Sequence, residues 1–341
     1  MKSEPQTAKT ALRSDEPKTA RAVFRSDAMQ RIMAFGALIV LAIGFSLASP
    51  FFRTFDNFVG ILLATAVNGV LGLGVTFVII TAGIDLSVGT VMTFAAVMTG
   101  VFITNLHWPI PLGILGGVLA GTLAGLVNGI VISKMRIPPF IATLGMLYAT
   151  KGLSLVISEL KPIYFNDTPA FREMAMGSVL GKIIPGFEVP NAVFIMFGAA
   201  IIAHLILSRT ILGRYTFALG SNEEATRLSG VNVVVWKTAV YTLCGMFSGI
   251  AGVLIASRLN SAQPALGSGY ELDAIAAVVI GGTSLSGGEG SILGTIIGAF
   301  IISTLTNGLR ILSVPQEWQM VVTGAIVVLA VFLDIVRRRQ Q

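Results

Sequence analysis

The sequence predicts an all-α, polytopic membrane fold of about ten transmembrane helices, with both termini cytoplasmic and an inverted repeat. Three observations carry this. First, 54% of the 341 residues are hydrophobic and only 12% are charged, with a mean hydropathy of +0.83, against about 25% charged in soluble domains. Second, apolar runs long enough to cross a bilayer recur along the chain; crossing takes about 17–25 residues. Third, the stretch Gly83-Ile84-Asp85-Leu86-Ser87 is echoed 186 residues later by Gly269-Tyr270-Glu271-Leu272-Asp273, in the order Gly, apolar, acid, Leu, capping residue. Each copy opens an apolar segment, and an odd number of predicted spans separates them. That places them in opposite orientations, as in inverted-repeat transporters.

In order, residues 1–31 are polar and carry seven basic residues among Asp, Glu, Ser and Thr. They cannot bury a core and read as a disordered cytoplasmic tail. Residues 32–49 end in small residues, as a signal peptide does, but the tail before them is too long for an n-region, so they form the first span. Spans two to five cover residues 58–80, 88–104, 110–133 and 139–158. A polar loop, 159–190, is expected on the periplasmic side, where it would meet a partner. Span six is 192–207, a hydrophilic stretch follows over 208–236, and span seven is 238–256. Span eight, 271–285, is short and ends in glycines; spans nine and ten are 292–309 and 318–336. The transmembrane domain is thus 32–336, and residues 337–341 form a second cytoplasmic tail.

Charge tests the arrangement. With the N-terminus inside, sixteen Lys and Arg fall on the cytoplasmic side and six outside, as the positive-inside rule requires for an even number of spans. This distribution also explains the net charge of +6 without nucleic acid as a partner. The glycines, 38 in number, suit close helix approach in a bilayer. Cys244 is the single cysteine and reads as a packing residue. His107 and His204 have no neighbour at metal-ligand spacing, so no metal site is expected.

A carboxylate inside a bilayer is costly and functional by default, so Asp85, Glu271 and Asp273 are candidate residues of a substrate path. Both motifs also read as ordinary helix starts, with Ser87 or Asp85 capping the helix from Val88. The two readings are compatible. Asn68, Ser87, Asn128, Lys151 and Asn307 complete the polar set within the spans. Side-chain amides between membrane helices commonly act as structural glue, and the alternative is a neutral, hydroxyl-compatible path. Lys151 either snorkels to the outer face or pairs with a carboxylate.

The second landmark runs Gly213-Arg214-Tyr215-Thr216-Phe217-Ala218-Leu219-Gly220-Ser221-Asn222-Glu223-Glu224-Ala225-Thr226-Arg227-Leu228-Ser229-Gly230. Ser221 or Asn222 is a good N-cap, Glu223 and Glu224 complement the helix dipole, and Gly230 is a good stop. The expectation is a two-turn helix outside the membrane, bounded by Gly220 and Gly230, and capped at both ends as a docking helix needs to be.

This stretch resembles the coupling-loop pattern G-R-x-x-x-A-x-G-x-N-x-x-A-x-x-x-S-G of bacterial ABC-transporter permeases for simple sugars, the ribose-type family. The residues that carry the resemblance are Gly213, Arg214, Ala218, Gly220, Asn222, Ala225, Ser229 and Gly230, with Glu223 and Glu224 in the same helix. Three further motifs match in order. Gly83-Ile84-Asp85-Leu86-Ser87-Val88-Gly89 is similar to G-x-D-L-S-V-G. Ile137-Pro138-Pro139-Phe140-Ile141-Ala142-Thr143-Leu144-Gly145 is similar to I-P-x-F-I-A-T-L-G, and Gly281-Gly282-Thr283-Ser284-Leu285-Ser286-Gly287-Gly288 to G-G-T-S-L-x-G-G. One departure is Lys151-Gly152, where the family carries Arg-Gly; lysine keeps the charge but not the planar fork that a bidentate contact needs.

The resemblance implies a multi-pass subunit of the bacterial inner membrane that is not itself an enzyme. It implies a second permease subunit, identical or different, a cytoplasmic ABC ATPase dimer, and a periplasmic sugar-binding protein that delivers a monosaccharide. No cofactor is expected on this chain; ATP and Mg would be used by the partner ATPase. Leu285-Ser286-Gly287-Gly288-Glu289 comes close to an ATPase signature, but the chain has no G-x-x-x-x-G-K-[ST] phosphate loop, so it reads as a glycine turn. Two rivals stay open: an ion-gradient-driven secondary transporter using Asp85, Glu271 and Asp273, and a membrane scaffold that transports nothing.

Overall fold

The computed structural model describes residues 27–338 of the chain; most of the predicted N-terminal tail and the last three residues lie outside them. Helix α1 spans Asp27–Ala48, α2 Phe55–Ile80, α3 Val88–Gly100, α4 Ile110–Ser133 and α5 Pro139–Ile157. The connection from α5 to the next long helix holds α6 (Pro169–Met176) and α7 (Val179–Ile183). Then come α8 (Asn191–Arg209), α9 (Ile211–Ser221), α10 (Glu223–Leu228), α11 (Val233–Leu259), α12 (Tyr270–Ile280), α13 (Ile292–Ile311) and α14 (Gln316–Arg338). Helix α3 continues as a π-turn over Val101–Asn105.

Each of the ten predicted apolar runs contains a helix, the eighth only over Tyr270–Ile280. Among the described residues, seven helices are long and apolar enough to cross a membrane: α2, α3 with its π-turn, α4, α5, α8, α11 and α13. Their ends follow ordinary rules. Thr54, Asn232 and Ser291 accept N–H groups of their own first turns, and prolines open α4 and α5, where a missing N–H costs nothing. Inside the helices, the hydroxyls of Thr65, Thr76 and Thr99 donate to the carbonyl four residues back, which removes the cost of burying them.

Helix α2 is the post around which the others stand: 94% of its apolar window is buried, against 17% for α5 at the periphery. The tightest crossing is α4 on α11. A side-chain carbon added to Gly121 would lie 2.7 Å from Gly245 O and from the Gly249 Cα. One added to Gly125 would lie 2.8 Å from the Gly245 Cα, and one on Gly129 2.8 Å from the Thr238 Cα. Glycine every fourth residue on one helix meets small residues on the other, so the two backbones touch.

Two departures from the expected fold matter. The connection between α5 and α8 is not a bare loop. Ile163–Tyr164 (β1) pairs antiparallel with Ser261–Ala262 (β2), Phe165 and Phe171 are buried with ring centroids 4.3 Å apart, and Ser257 Oγ donates to Phe171 O at 2.6 Å. The eighth run is also shorter than expected. Its helix ends at Ile280 because Gly281 packs against the backbone of Gly294 and Gly282 turns the chain at φ 92°, a conformation that favours glycine.

Helix α12 covers eleven residues, about 16 Å at 1.5 Å per residue and half a bilayer core. The chain before it descends along α3. The Ile163 side chain lies against Gly100, and Gly267 packs against Gly89 and Thr93. Between β2 and α12 the chain therefore runs down α3 by about eleven residues, again about 16 Å.

The α4–α11 contact sets a stability prediction. Gly125→Ala should cost about 1–3 kcal/mol through overpacking, read as a lower unfolding midpoint of the detergent-solubilised protein. Gly198→Ala, at a position with open space, should not. Equal midpoints for the two variants would contradict a backbone contact at Gly125.

Candidate functional site

The first motif sits in a break between α2 and α3. Thr81 Oγ1 donates to Val78 O at 2.7 Å, Ala82 takes a left-handed conformation (φ 56°), and the Ala82 and Gly83 N–H groups return to Ile79 O and Val78 O. This pair of bonds is the Schellman closure of a helix end. Asp85 is 2% exposed. Its Oδ1 accepts from the Ser87 N–H (2.9 Å) and the Ser87 hydroxyl (2.6 Å). Asn128 Nδ2 donates to Ser87 Oγ at 3.0 Å, and Tyr241 O–H donates to Ile84 O at 3.3 Å. Ser87 is the N-cap residue of α3, but its hydroxyl makes no cap bond; it donates back to Asp85 instead. Neither expected cap therefore forms.

The second motif opens α12. Gly269 is the N-cap residue, at φ 99°, and its N–H donates to both oxygens of Glu271 at 3.2 Å. Asp273 lies in the first turn rather than at the cap. The two motifs meet. A side-chain carbon on Gly89 would lie 2.6 Å from Glu271 Oε2 and would collide with the Gly267 carbonyl, so only glycine lets α3 begin against α12.

Helix α5 closes the same cluster. Thr150 Oγ1 donates to Thr90 Oγ1 at 2.9 Å, and Lys151 Nζ donates to Ser268 Oγ at 3.4 Å. Lys151 thus reaches the descending segment, and among the described residues it makes no ion pair, so the expected pairing with a carboxylate does not form there. Ser268 and Gly269 are exposed, and Lys151 and Glu271 half-buried. Of the eight path candidates, Asp85, Ser87 and Asn128 share one buried cluster. Lys151 and Glu271 line its open neighbour, beyond Gly89. Asn68 on α2 and Asn307 on α13 stand apart from both. The side-chain oxygens of these two asparagines, and the Ser303 hydroxyl, are buried without a partner among the described residues.

The stretch between α8 and α11 holds two helices, not one. Thr210 caps α9 through the Gly213 N–H, and Gly213 packs against the backbone at Leu207. Asn222 caps α10, accepting from the Ala225 N–H at 2.9 Å, and Ser229 and Gly230 (φ 84°) end it. Thr226 Oγ1 donates to Ala218 O at 2.9 Å and straps α10 to α9. Glu223 pairs with Lys237 at 2.6 Å and with Arg227 at 3.2 Å; Glu224 pairs with Arg227 at 3.4 Å. Arg214, Asn222, Glu224, Ala225, Ser229 and Gly230 are exposed. So is Leu228, at 81%, an apolar knob on a polar surface that sequence reading passed over.

Gly220 does not bound α10; it lies within α9, and its role is close approach. A side-chain carbon there would overlap the Ile80 carbonyl and lie 2.5 Å from the Gly288 nitrogen. Gly288 N–H itself donates to Ile80 O at 2.9 Å. Gly287 and Gly288 have φ of 83° and 77°, and a carbon on Gly287 would meet Ala82 and Gly220 O. Residues 285–289 thus form a glycine turn, as expected. That turn, the α2 end and the α9 end make one backbone junction. From it the chain leads on one side through residues 81–87 to Asp85, and on the other back along α12 to Glu271.

The residues missed by sequence reading are Thr90, Thr150, Ser268 and Tyr241 around the acids, and Ile80 in the junction. Ser and Thr are too common in membrane helices to stand out, and Ile80 contributes only its carbonyl. Gly89 and Gly220 were visible as motif members, but not as contacts.

Over residues 57–331 the chain matches the model of a family described as branched-chain amino acid transport system / permease component. It is 42% identical over 305 residues to the ribose import permease protein of Escherichia coli (strain K12), spanning 87% of this chain and 91% of that one. To the ribose import permease protein of Bacillus subtilis (strain 168) it is 43% identical over 307 residues, 90% and 93% of the two chains. To the L-arabinose transport system permease protein of Escherichia coli (strain K12) it is 39% identical over 303 residues, 88% and 90%. No solved structure matches the chain. The apolar helices and these relatives together make it a multi-pass membrane protein, and it belongs to the branched-chain amino acid transport system / permease component family.

Proposed function

We propose that the chain is the membrane subunit of an ATP-driven importer that moves a monosaccharide, ribose-like or related, from periplasm to cytoplasm by alternating access. The family description covers amino-acid permeases, but the relatives named above import ribose and L-arabinose. The exposed Ser268 hydroxyl and the Lys151 ammonium that donates to it can hydrogen-bond the hydroxyls of such a sugar. The observation that carries the reading is the backbone junction of Ile80, Gly220 and Gly288, because it joins the docking helix to both acid-bearing helix starts.

In this reading α9 and α10 lie at the cytoplasmic face of the inner membrane. Helix α10 seats in a groove of a cytoplasmic ABC ATPase dimer, with Leu228 as an apolar anchor and Arg214, Glu223 and Glu224 setting charge complementarity. ATP and Mg act there, and this chain hydrolyses nothing. Closure of the ATPases shifts α10; Thr226 carries the shift to α9, and Gly220 passes it to the ends of α2 and α12. The polar face of exposed Ser268 and Gly269 with half-buried Lys151 and Glu271 cannot lie against hydrocarbon. A second permease subunit, identical or homologous, covers it and leaves the sugar path between the two. Asn68, Ser303 and Asn307 supply further hydrogen-bonding groups deeper in the bundle. At the periplasmic face, the folded segment 159–190 receives the sugar-binding protein.

The rival transporter, driven by an ion gradient through Asp85, Glu271 and Asp273, is disfavoured. Asp85 is held by Ser87 inside a closed cluster, and Glu271 folds onto its own N-cap amide.

Two outcomes are expected from the assembled importer. Gly220→Val should leave ATPase binding intact and uncouple it, with hydrolysis persisting while sugar uptake falls at least about tenfold, the effect of about 1.4 kcal/mol on the transport barrier. Unchanged uptake would show that the junction transmits nothing. Glu223→Arg/Glu224→Arg should abolish copurification of the ATPase while membrane insertion is retained. Normal copurification would remove α10 as the docking helix.

A further inference from the structure

On the side where α10 lies, a cavity of about 560 Å³ opens between the α4–α5 turn and the start of α11. Three cations line it, Arg136, Arg227 and Lys237, with one acid, Glu223. Glu223 is spent on Lys237 and Arg227, and Arg227 takes a second partner in Glu224. Arg136 has no ion pair among the described residues. The turn holds it at φ 57°, a conformation uncommon outside glycine and asparagine. The cavity thus presents one uncompensated guanidinium beside a half-neutralised Lys237, an arrangement suited to a phosphate group.

The surroundings identify the source of that phosphate. Apolar Ile137, Pro138, Pro139, Val231 and Val234 share the lining; Val234 is 41% exposed, and Met135 and Phe140, each next in sequence to a lining residue, are 61% and 51% exposed. Trp236, next to Lys237, packs at a tilt against Tyr215, 4.9 Å between ring centroids, and such aromatics sit at headgroup level in a bilayer. A cationic pocket with an apolar rim at that depth matches a lipid, with its phosphate in the pocket and its chains along the rim. A free anion would use only the first of these features.

We infer that this cavity binds the headgroup of an anionic phospholipid of the cytoplasmic leaflet. The inference takes its sidedness from the orientation proposed above, but not its substrate or energy source. A phosphate on Arg136 and Lys237 draws Lys237 away from Glu223, the contact that ties α10 to α11. Lipid occupancy therefore sets how firmly the docking helix is held, and the importer responds to the anionic lipid content of its membrane.

The test uses the full chain in its assembled importer, delipidated and titrated with phosphatidylglycerol or phosphatidylcholine, with bound lipid counted by native mass spectrometry. Wild type should prefer phosphatidylglycerol. Arg136→Asn, which keeps a residue tolerant of the left-handed turn, should weaken that preference by about fivefold, the effect of one surface cation on an anionic lipid. Arg136→Lys should restore most of it. Lys134→Asn makes the same charge change outside the cavity and should leave the preference intact. Equal loss in Lys134→Asn would mean diffuse surface charge and overturn the site, as would an unchanged Arg136→Asn. Displacement of the lipid by inorganic phosphate alone would assign the pocket to a soluble anion. If the chain without the ATPase retains the lipid and the assembled importer does not, the cavity belongs to the ATPase contact. Either result overturns the inference. Because both assembly states are compared, a failure of the proposed ATPase partnership is seen separately.

Discussion

The structure depends on one carbonyl that its own helix cannot satisfy. Helix α2 ends at Ile80, and the last carbonyls of a helix lack intrahelical donors. Ile79 and Val78 are served by the turn that follows, whereas Ile80 O accepts from Gly288, more than two hundred residues away. A buried carbonyl left unpaired costs about 1–3 kcal/mol, and Ile80 is fully buried, so this bond holds the α12–α13 turn against the break after α2. Gly220 then packs onto the same atom. Three segments distant in sequence are fixed to one point, and none contributes a side chain to it.

The same constraint explains why the acids lie where they do. A helix broken within the membrane must satisfy its freed groups locally. Asp85 does so for Ser87, and Glu271 does so for Gly269. The carboxylates begin as structural parts of two helix starts. What makes them a candidate site is that these starts touch through Gly89 and Gly267 and leave Ser268 and Lys151 open beside them. In the proposed mechanism a displacement at the junction alters how α3 and α12 meet, while the close glycine contact of α4 on α11 is kept.

Much of this was legible in sequence. The helical, multi-pass architecture, the Asn222 cap and the Gly230 stop stand as read. So does the turn at 285–289. Composition and spacing encode these locally. The pairing of Ile80 with Gly288, the contact of Gly89 with Glu271 and the lysine–serine contact at 151 and 268 were not legible. Each joins residues far apart in the chain, and two of the three involve backbone atoms that carry no sequence signal. Helix α12 was overestimated because Gly281 and Gly282 are apolar by composition, although Gly282 turns the chain. Gly220 was recognised for the right reason of size and given the wrong role, since a glycine beside a capped helix looks like its boundary until the neighbouring carbonyl is seen.

The central claim is that energy enters through α10 and not through the acids. The direct measurement is uptake of radiolabelled ribose into proteoliposomes, made once with the chain and its ATPase and binding-protein partners and once with the chain alone. Uptake that requires ATP and all partners, and is indifferent to collapse of proton and sodium gradients, is the predicted result. Uptake by the chain alone that follows an imposed ion gradient would contradict the account and move the mechanism to Asp85, Glu271 and Asp273.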